Sequence, residues 1–413
     1  MHTLLRFTLI TACLAGSYAH ADGSPNGLHA SLHGFGTLGY VSLDESDRAF
    51  VRDGTQNGAA LLGSPWRRDT RFGLQGNLTI NPQWEAMLQV VAREQAIKTV
   101  NSAVDWAFVK YIPTPGIELR LGRLALDLSM LADQRNIGYT YDWVRPPMEF
   151  YGWQSLQKID GIDLTHRFTL AGSNVRLRAA LGKSEDDVPM DTGTLNVHME
   201  HIASVSLGVT QGPWHFNAGI GAGRFATECL APASYRALLT AAVPAWPDAA
   251  RVLDAYRIGG ASLRSASLGM EYDDGLWKVI GELAWIGRSG PRVSQGTRGY
   301  LSVGRRFGDF TPFVLLSASR DQRHFDMGAP LLPLPAVLAL RDFAHTDLNT
   351  NRLQQRSIGL GLRWDFAPNM ALKTQIDHSH IPADGYQLWW PVGNAPRSGG
   401  SKTLATLTYD FTF

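Results

Sequence analysis

The chain has 413 residues, 44% hydrophobic and 18% charged, with a formal net charge of +1 and two cysteines. That balance excludes a strongly basic nucleic-acid binder, a disulfide scaffold and a multi-cysteine metal cluster, and no apolar run approaches the roughly 18 residues of a membrane-spanning helix. It leaves open a chain that crosses a membrane on alternating strands, whose average hydropathy looks soluble.

The first element in chain order is an export signal. Arg6 precedes an apolar stretch over residues 7–16, and Ala19-His20-Ala21 has the form of a cleavage site. Residues 1–21 therefore read as a secretory signal peptide and residues 22–413 as one mature domain. Ile10-Thr11-Ala12-Cys13 loosely matches a lipoprotein signal, but cleavage there would leave an unusually short apolar segment. Removal of the signal takes away Arg6 and Cys13, which brings the net charge to zero and leaves Cys229 without a disulfide partner.

Beyond residue 28 the hydrophobic pattern has period two. In residues 72–80, Phe72, Leu74, Leu78 and Ile80 share one face, and Gln75, Asn77 and Thr79 the other. Asn81-Pro82 makes a turn, and Trp84, Ala86, Leu88, Val90 and Ala92 resume the apolar face. Comparable hairpins surround Gln211-Gly212-Pro213, Asp273-Asp274-Gly275 and Ala367-Pro368-Asn369. In all, the pattern predicts sixteen strands, near 30–42, 69–80, 84–94, 103–112, 117–123, 160–168, 174–182, 199–209, 214–224, 263–272, 276–286, 298–306, 310–319, 356–365, 370–378 and 402–413. Strands of roughly 9–11 residues suit a tilted bilayer crossing. Short turns alternate with long connections at 43–68, 124–159, 225–262 and 320–355. Such asymmetry between rims, with an even strand count, is expected of an all-β, antiparallel transmembrane β-barrel whose termini share the short-turn rim.

Magnitude decides which face meets lipid. A Lys or Arg at mid-bilayer costs roughly 2–4 kcal/mol, so the charged residues belong inside. That set includes Arg71, Arg93, Glu118, Arg120, Asp163, Arg176, Arg178, Glu200, Glu282, Arg363, Lys373, Asp377 and Asp410, with Lys110 and Lys278. Tyr40, Trp84, Trp214, Tyr272, Trp277, Trp285, Trp364 and Tyr409 fall near strand ends on the apolar face, as interfacial aromatic belts do.

Three segments carry a family resemblance. The opening strand HGFGTLGY (33–40), the strand LRLGRLALD (119–127) and the terminal TLATLTYDFTF (403–413) resemble the Gram-negative trimeric porins. Tyr409, Phe411 and Phe413 alternate up to the C-terminus like the signal read by the outer-membrane assembly machinery. The resemblance implies a sixteen-stranded homotrimer in outer-membrane lipid, with the third loop folded inward as a constriction, and passive diffusion of small hydrophilic solutes. It implies no cofactor, no metal and no nucleic-acid partner. The third loop would run from Arg123 to about Ile159, and its YTYDWVRPPMEFYG stretch (139–152) departs from the short acidic loops of general enterobacterial porins.

A barrel of this size leaves room for an aqueous channel, whose function depends on what narrows and charges it. The loop offers Asp127, Asp133, Asp142 and Glu149, with Arg135, Arg145 and Lys158. The wall offers Arg71, Arg93, Arg120, Arg123, Arg176, Arg178, Arg363 and Lys373. An acidic loop facing a basic wall across water would set up a transverse field. Arg outnumbers Lys 31 to 7, and Arg can hold a carboxylate bidentately, so small anions and carboxylates are the candidate solutes. The plainer reading is that these charges only keep the lumen wet. Loop aromatics Tyr139, Tyr141, Trp143, Phe150, Tyr151 and Trp153 would form either a stacking slide or an anchor against the wall. The proline-broken stretch at 331–340 is expected over the mouth or against a neighbouring subunit.

The alternatives are an outer-membrane barrel enzyme of phospholipase or protease type, or a blocked receptor barrel. No catalytic residue is assigned. Asp377-His378-Ser379-His380 gathers acid, base and nucleophile types, but strand neighbours point to opposite faces, and the two histidines are a weak metal pair. Gly219, Gly221 and Gly223 make room on the lumen face rather than a dinucleotide loop, since no helix follows.

Overall fold

The computed structural model describes residues 27–43, 45–152, 157–190, 193–227, 231–288, 295–321, 325–349, 352–383, 385, 388–392 and 399–413. The signal peptide, Trp153 and Cys229 lie outside the described residues.

Sixteen strands close into one antiparallel barrel. They are β1 (His29–Ser42), β2 (Arg71–Asn81), β3 (Trp84–Arg93), β4 (Val104–Thr114), β5 (Ile117–Ala125), β6 (Lys158–Leu170), β7 (Ser173–Met190) and β8 (Gly193–Gln211). The second half comprises β9 (Trp214–Phe225), β10 (Ser262–Asp273), β11 (Trp277–Arg288), β12 (Gly296–Arg305), β13 (Phe310–Asp321), β14 (Gln355–Ala367), β15 (Met370–Ile381) and β16 (Gly400–Thr412). Each strand pairs with its chain neighbours, and β1 pairs with β16 through registers such as Leu38↔Tyr409 and Gly36↔Phe411. At that seam Gly34 and Phe413 exchange backbone hydrogen bonds of 2.9 Å in both directions. The rings of Phe413 and Phe411 lie over Gly34 and Gly36, where a Cβ would collide with them. Glycine is required there by that close approach.

The turns are built by local side chains. Asn81 Oδ1 accepts from Gln83 and Trp84 N–H at 2.9 and 3.0 Å, and Asp274 Oδ1 from Leu276 and Trp277 N–H at 2.9 and 2.7 Å. Gly275 takes φ +87°, the left-handed region that costs glycine nothing.

Strand parity then sorts the residues. Leu38, Leu121, Leu283 and Leu360 point out and are more than half exposed, whereas Lys373, Thr408 and Asp410 point in and are fully buried. Trp84 packs on Tyr111, Trp214 on Tyr272 and Phe310 on Trp364 around the short-turn rim. Among the described residues no helix is long and apolar enough to cross a membrane.

Three features differ from the sequence pattern. The β7–β8 hairpin continues upward in 18- and 19-residue strands where a loop was expected at 183–198. In β8 a register break brings Glu200 opposite Arg224, and His201 takes φ +53°. The extra residue of that bulge flips the alternation, so Glu200 shares the outer face with Arg224 instead of entering the lumen. At the long-loop rim α1 (Ala233–Ala242), α2 (Ala249–Ala255) and α3 (Pro335–Asn349) pack around Trp246, Tyr256, Ala344 and Leu348. The apolar stretch at 331–340 enters this helical cap through α3.

Candidate functional site

The connection between β5 and β6 crosses the inside of the barrel. Its first residues sit against inward glycines of the far wall: Leu128 meets Gly219 and Gly221, and Met130 meets Gly269. Ser267 Oγ donates to the Leu128 carbonyl at 2.5 Å, and Met130 N–H donates to Glu282 Oε2 at 2.9 Å. Further along, Trp143 Nε1 donates to Ser302 at 2.8 Å and Val144 N–H to Gln375 at 3.1 Å. Gly138, Tyr141 and Trp143 turn their carbonyls onto Lys373 Nζ at 2.7, 2.6 and 3.1 Å, and Lys373 also pairs with Asp410 at 3.1 Å. The loop thereby touches β10 through β12, β15 and β16.

Arg145 is its central fastener. The guanidinium lies 2.7 Å from Asp69, 3.3 Å from Asp377 and 2.6 Å from Thr406 Oγ1, all buried. Asp69 precedes β2 and Asp377 lies on β15, so one side chain ties the loop to two separate parts of the wall. A buried pair like this contributes little relative to an apolar replacement, but losing one partner strands a charge at a cost of about 3–5 kcal/mol. Burial alone would push the Asp69 carboxyl up, yet Arg145 holds it below its usual range. Glu149 completes the belt, accepting from Ser317 at 2.6 Å, from Gln355 at 2.7 Å and from Ser357.

The loop aromatics anchor it. Tyr141, Trp143, Phe150 and Tyr151 are buried in one cluster with Ile280, Tyr300, Phe313 and Leu315 from the wall. Trp143 and Phe150 meet Tyr300 edge-on at centroid distances of 5.4 and 5.5 Å. Tyr151 and Tyr300 both donate to the Glu282 carboxylate. These rings are engaged with the wall, so a stacking slide finds no support in them; Tyr139, under Arg363 at 4.8 Å, is the more peripheral member.

The charges expected to face one another across water are largely in contact. Arg120 and Arg178 share Asp163, each at 2.7 Å, and Arg178 also reaches Asp127 and Asp133 at 3.5 Å. Arg176 pairs with Asp127 at 3.1 Å, Arg363 with Asp142 at 3.7 Å and with Asp365 at 2.7 Å. Arg71 makes no ion pair among the described residues; it donates to the Asn136 carbonyl and the Tyr141 hydroxyl, both at 2.6 Å. The transverse field across an open gap is thus replaced by an ion-pair network that joins loop to wall. Arg120 and Arg176 retain side-chain exposures of 17% and 29% to the interior.

Two positions correct the sequence reading. Arg123 stands opposite Ala107 and on the other face of β5 from Arg120. It pairs with Asp160 at 2.7 Å and reaches Asn101 at 2.8 Å, outside the lumen. Gly122, beside it, takes φ +137° while the pairing on both sides of the strand continues unbroken. Asp53 belongs to the site although no pattern marked it. It lies in the first loop and pairs with Arg93 at 3.2 Å. Burial would raise its carboxyl, but Arg93, Arg52 and the Thr55 hydroxyl bring it down to about 2. Arg135, whose guanidinium donates to the Tyr151 carbonyl at 3.1 Å, is pushed down to about 10 by burial. In loops the period-two signal vanishes, so Asp53 could not be sorted by parity.

The candidate enzyme constellation comes apart on the strand. Asp377 and Ser379 are buried inside, whereas His378 and His380 are exposed outside. His378 Nδ1 lies 2.9 Å from Thr403 Oγ1. Among the described residues no group of three metal-ligating side chains assembles.

No protein-family model matches the chain, and no curated protein matches it in sequence. Solved structures do. The anion-selective porin from Comamonas acidovorans superimposes with a TM-score of 0.54 at 13% identity, covering 94% of this chain and 100% of that one. Salmonella typhi OmpF, in complex with daunomycin, gives a TM-score of 0.54 at 13% identity over 94% and 98% of the two chains. The outer membrane channel DcaP of Acinetobacter baumannii gives 0.52 at 11% identity, again over 94% and 98%. At these identities the likeness is one of fold: the chain has the sixteen-stranded barrel of the Gram-negative porins.

Proposed function

We propose that the protein is an outer-membrane porin, exported by its signal peptide, that passes small hydrophilic solutes passively and favours small anions such as carboxylates. The observation that carries the reading is the state of Arg120 and Arg176. Each is paired to a buried carboxylate yet keeps part of its side chain exposed to the interior. An arginine so placed can offer its free N–H groups to a passing carboxylate without being torn from its position, which is weak multi-site binding of the kind that conduction requires. The rigid third loop sets the cross-section, and the solute follows the wall of β5 and β7. No step needs covalent chemistry or a cofactor. The fold likeness to an anion-selective porin and to an outer membrane channel supports the reading. The terminal Tyr409, Phe411 and Phe413 support recognition by the assembly machinery, and assembly as a homotrimer rests on the porin resemblance.

Reversal potential in a salt gradient tests it. Anion preference in the wild type, reduced toward neutrality in Arg176→Gln, is expected; clear cation preference would overturn the anion reading.

A second reading has its own observation. The loop aromatics fill the wall cluster and the α1–α3 cap leaves Leu331, Leu332 and Leu334 more than half exposed at the long-loop rim. A closed barrel whose loops bind a partner would carry no ionic current, so a conductance recording separates the two.

A further inference from the structure

Most strand cations lie inside or against a carboxylate, but some stand on the outer wall: Arg264 on β10, Arg305 against Trp277 and Phe307 at the short-turn rim, and a cluster on β13 and β14. On β13 the burial alternates strictly, which puts Ser317, Ser319 and Asp321 inside and Leu316, Ala318 and Arg320 outside. On β14 the same alternation puts Arg356 outside with Ile358 and Leu360, and on β15 it puts His378 and His380 outside with Ile376. Register brings these together. Arg356 pairs with Ala318 on one side and His380 on the other, and His380 with Ser401. Directly opposed side chains are about 5 Å apart and diagonal ones about 7–8 Å, so Arg356, His380 and Arg320 are within reach of one small anion. Arg320 and Arg356 are exposed, and neither makes an ion pair among the described residues.

Below these cations the wall is hollowed. Gly299 and Ala318 face each other across β12 and β13, and their small side chains leave a floor between Leu283, Leu301, Leu316 and Ile358. The result is an open groove of about 820 Å³ with cations and Ser401 at one end and leucines along its length. The apolar end belongs to the lipid-facing belt, and the cationic end to the long-loop rim. An outward arginine costs far less near the interface than at mid-bilayer, and there it can be offset by an anionic head group.

We propose that this groove binds a phosphate-bearing membrane lipid, with the phosphate on Arg320, Arg356 and His380 and an acyl chain over Leu301, Leu316 and Ile358. Charge complementarity selects an anion, and the hollow apolar floor selects one attached to a hydrocarbon chain. A second copy docked about a two-fold axis would bring the same cations to face these, which disfavours a dimer at this face. The site owes nothing to the conduction pathway, so its failure would leave the channel reading intact.

Native mass spectrometry of the full-length protein in detergent tests it, with dioleoyl phosphatidic acid, dioleoylglycerol and inorganic phosphate as probes. Phosphatidic acid should be retained by the wild type and bound about tenfold more weakly by the Arg320→Gln/Arg356→Gln double variant. Dioleoylglycerol should bind weakly to both, and inorganic phosphate should not displace the lipid. Ala318→Trp fills the groove while leaving every cation in place; it should also lose the lipid, and it decides the matter if the double variant fails to fold. Equal retention of dioleoylglycerol, displacement by free phosphate, unchanged binding in the variants, or dimers that exclude the lipid at this face would each overturn the proposal.

Discussion

Arg145 and Arg320 are the same side chain on opposite sides of one wall. Arg145 is fully buried, held by Asp69, Asp377 and Thr406, and fastens the third loop. Arg320 projects outward without an ion-pair partner among the described residues. The inner arginine is a structural charge whose removal leaves two carboxylates stranded in a dry place. The outer one is a displayed charge whose removal the fold should scarcely register. Between them stand Arg120 and Arg176, paired but still partly wet. What a charge does in this barrel follows from its partner and its burial rather than from its residue type.

The largest effect expected from breaking this ordering is at Arg145. Arg145→Ala should cost about 3–5 kcal/mol, read as a lowered unfolding temperature in detergent. The freed loop should also raise and destabilise the single-channel current. A change within scatter on both readouts would show that the aromatic cluster alone holds the loop.

Acid should act next, through Asp53 and Asp69. The Asp53 carboxyl sits at about 2 in the folded protein, below its ordinary value near 4. A depressed carboxyl contributes stability that is complete above the unfolded value and is lost as pH falls toward the folded one. The contribution is on the order of 2 kcal/mol and should disappear between about pH 4 and pH 2. Melting curves of the wild type and Asp53→Asn across that window should converge as the pH drops. Parallel curves would remove Asp53 from the fastening.

Smaller still is Arg176→Gln. Its pair is partly exposed, so stability should move by no more than about 1 kcal/mol while the anion-to-cation permeability ratio falls. Arg320→Gln should be silent in detergent melts and in conductance alike. An effect on either would mean that the outer charge has a structural partner.

Much of the fold was legible in the sequence because period two is a physical requirement of a wall that is wet on one side and oily on the other. All sixteen strands lie close to where alternation places them, and the four long connections follow. Alternation failed where the backbone departs from regular pairing. The bulge at His201 carried Glu200 to the outer face, whereas Arg123, three residues from Arg120 in an unbroken register, lies outside by the alternation itself. The site was less legible. Composition could mark Arg145, Glu149 and the loop aromatics as candidates, but their partners lie more than 70 residues away in sequence, as with Asp69 and Ser317. Such contacts depend on how the loop is threaded through the interior, which no local pattern encodes. Arg320 and Arg356 were not among the candidates at all, because an argument from the cost of charge in lipid places strand cations inside unless their height on the wall is known.

The central claim is that a pinned third loop narrows an open, charged channel. Planar-bilayer recording of the purified wild-type protein tests it most directly. The account predicts discrete ohmic steps, grouped in threes for a trimer, whereas insertion without any ionic current would contradict it and leave a closed barrel.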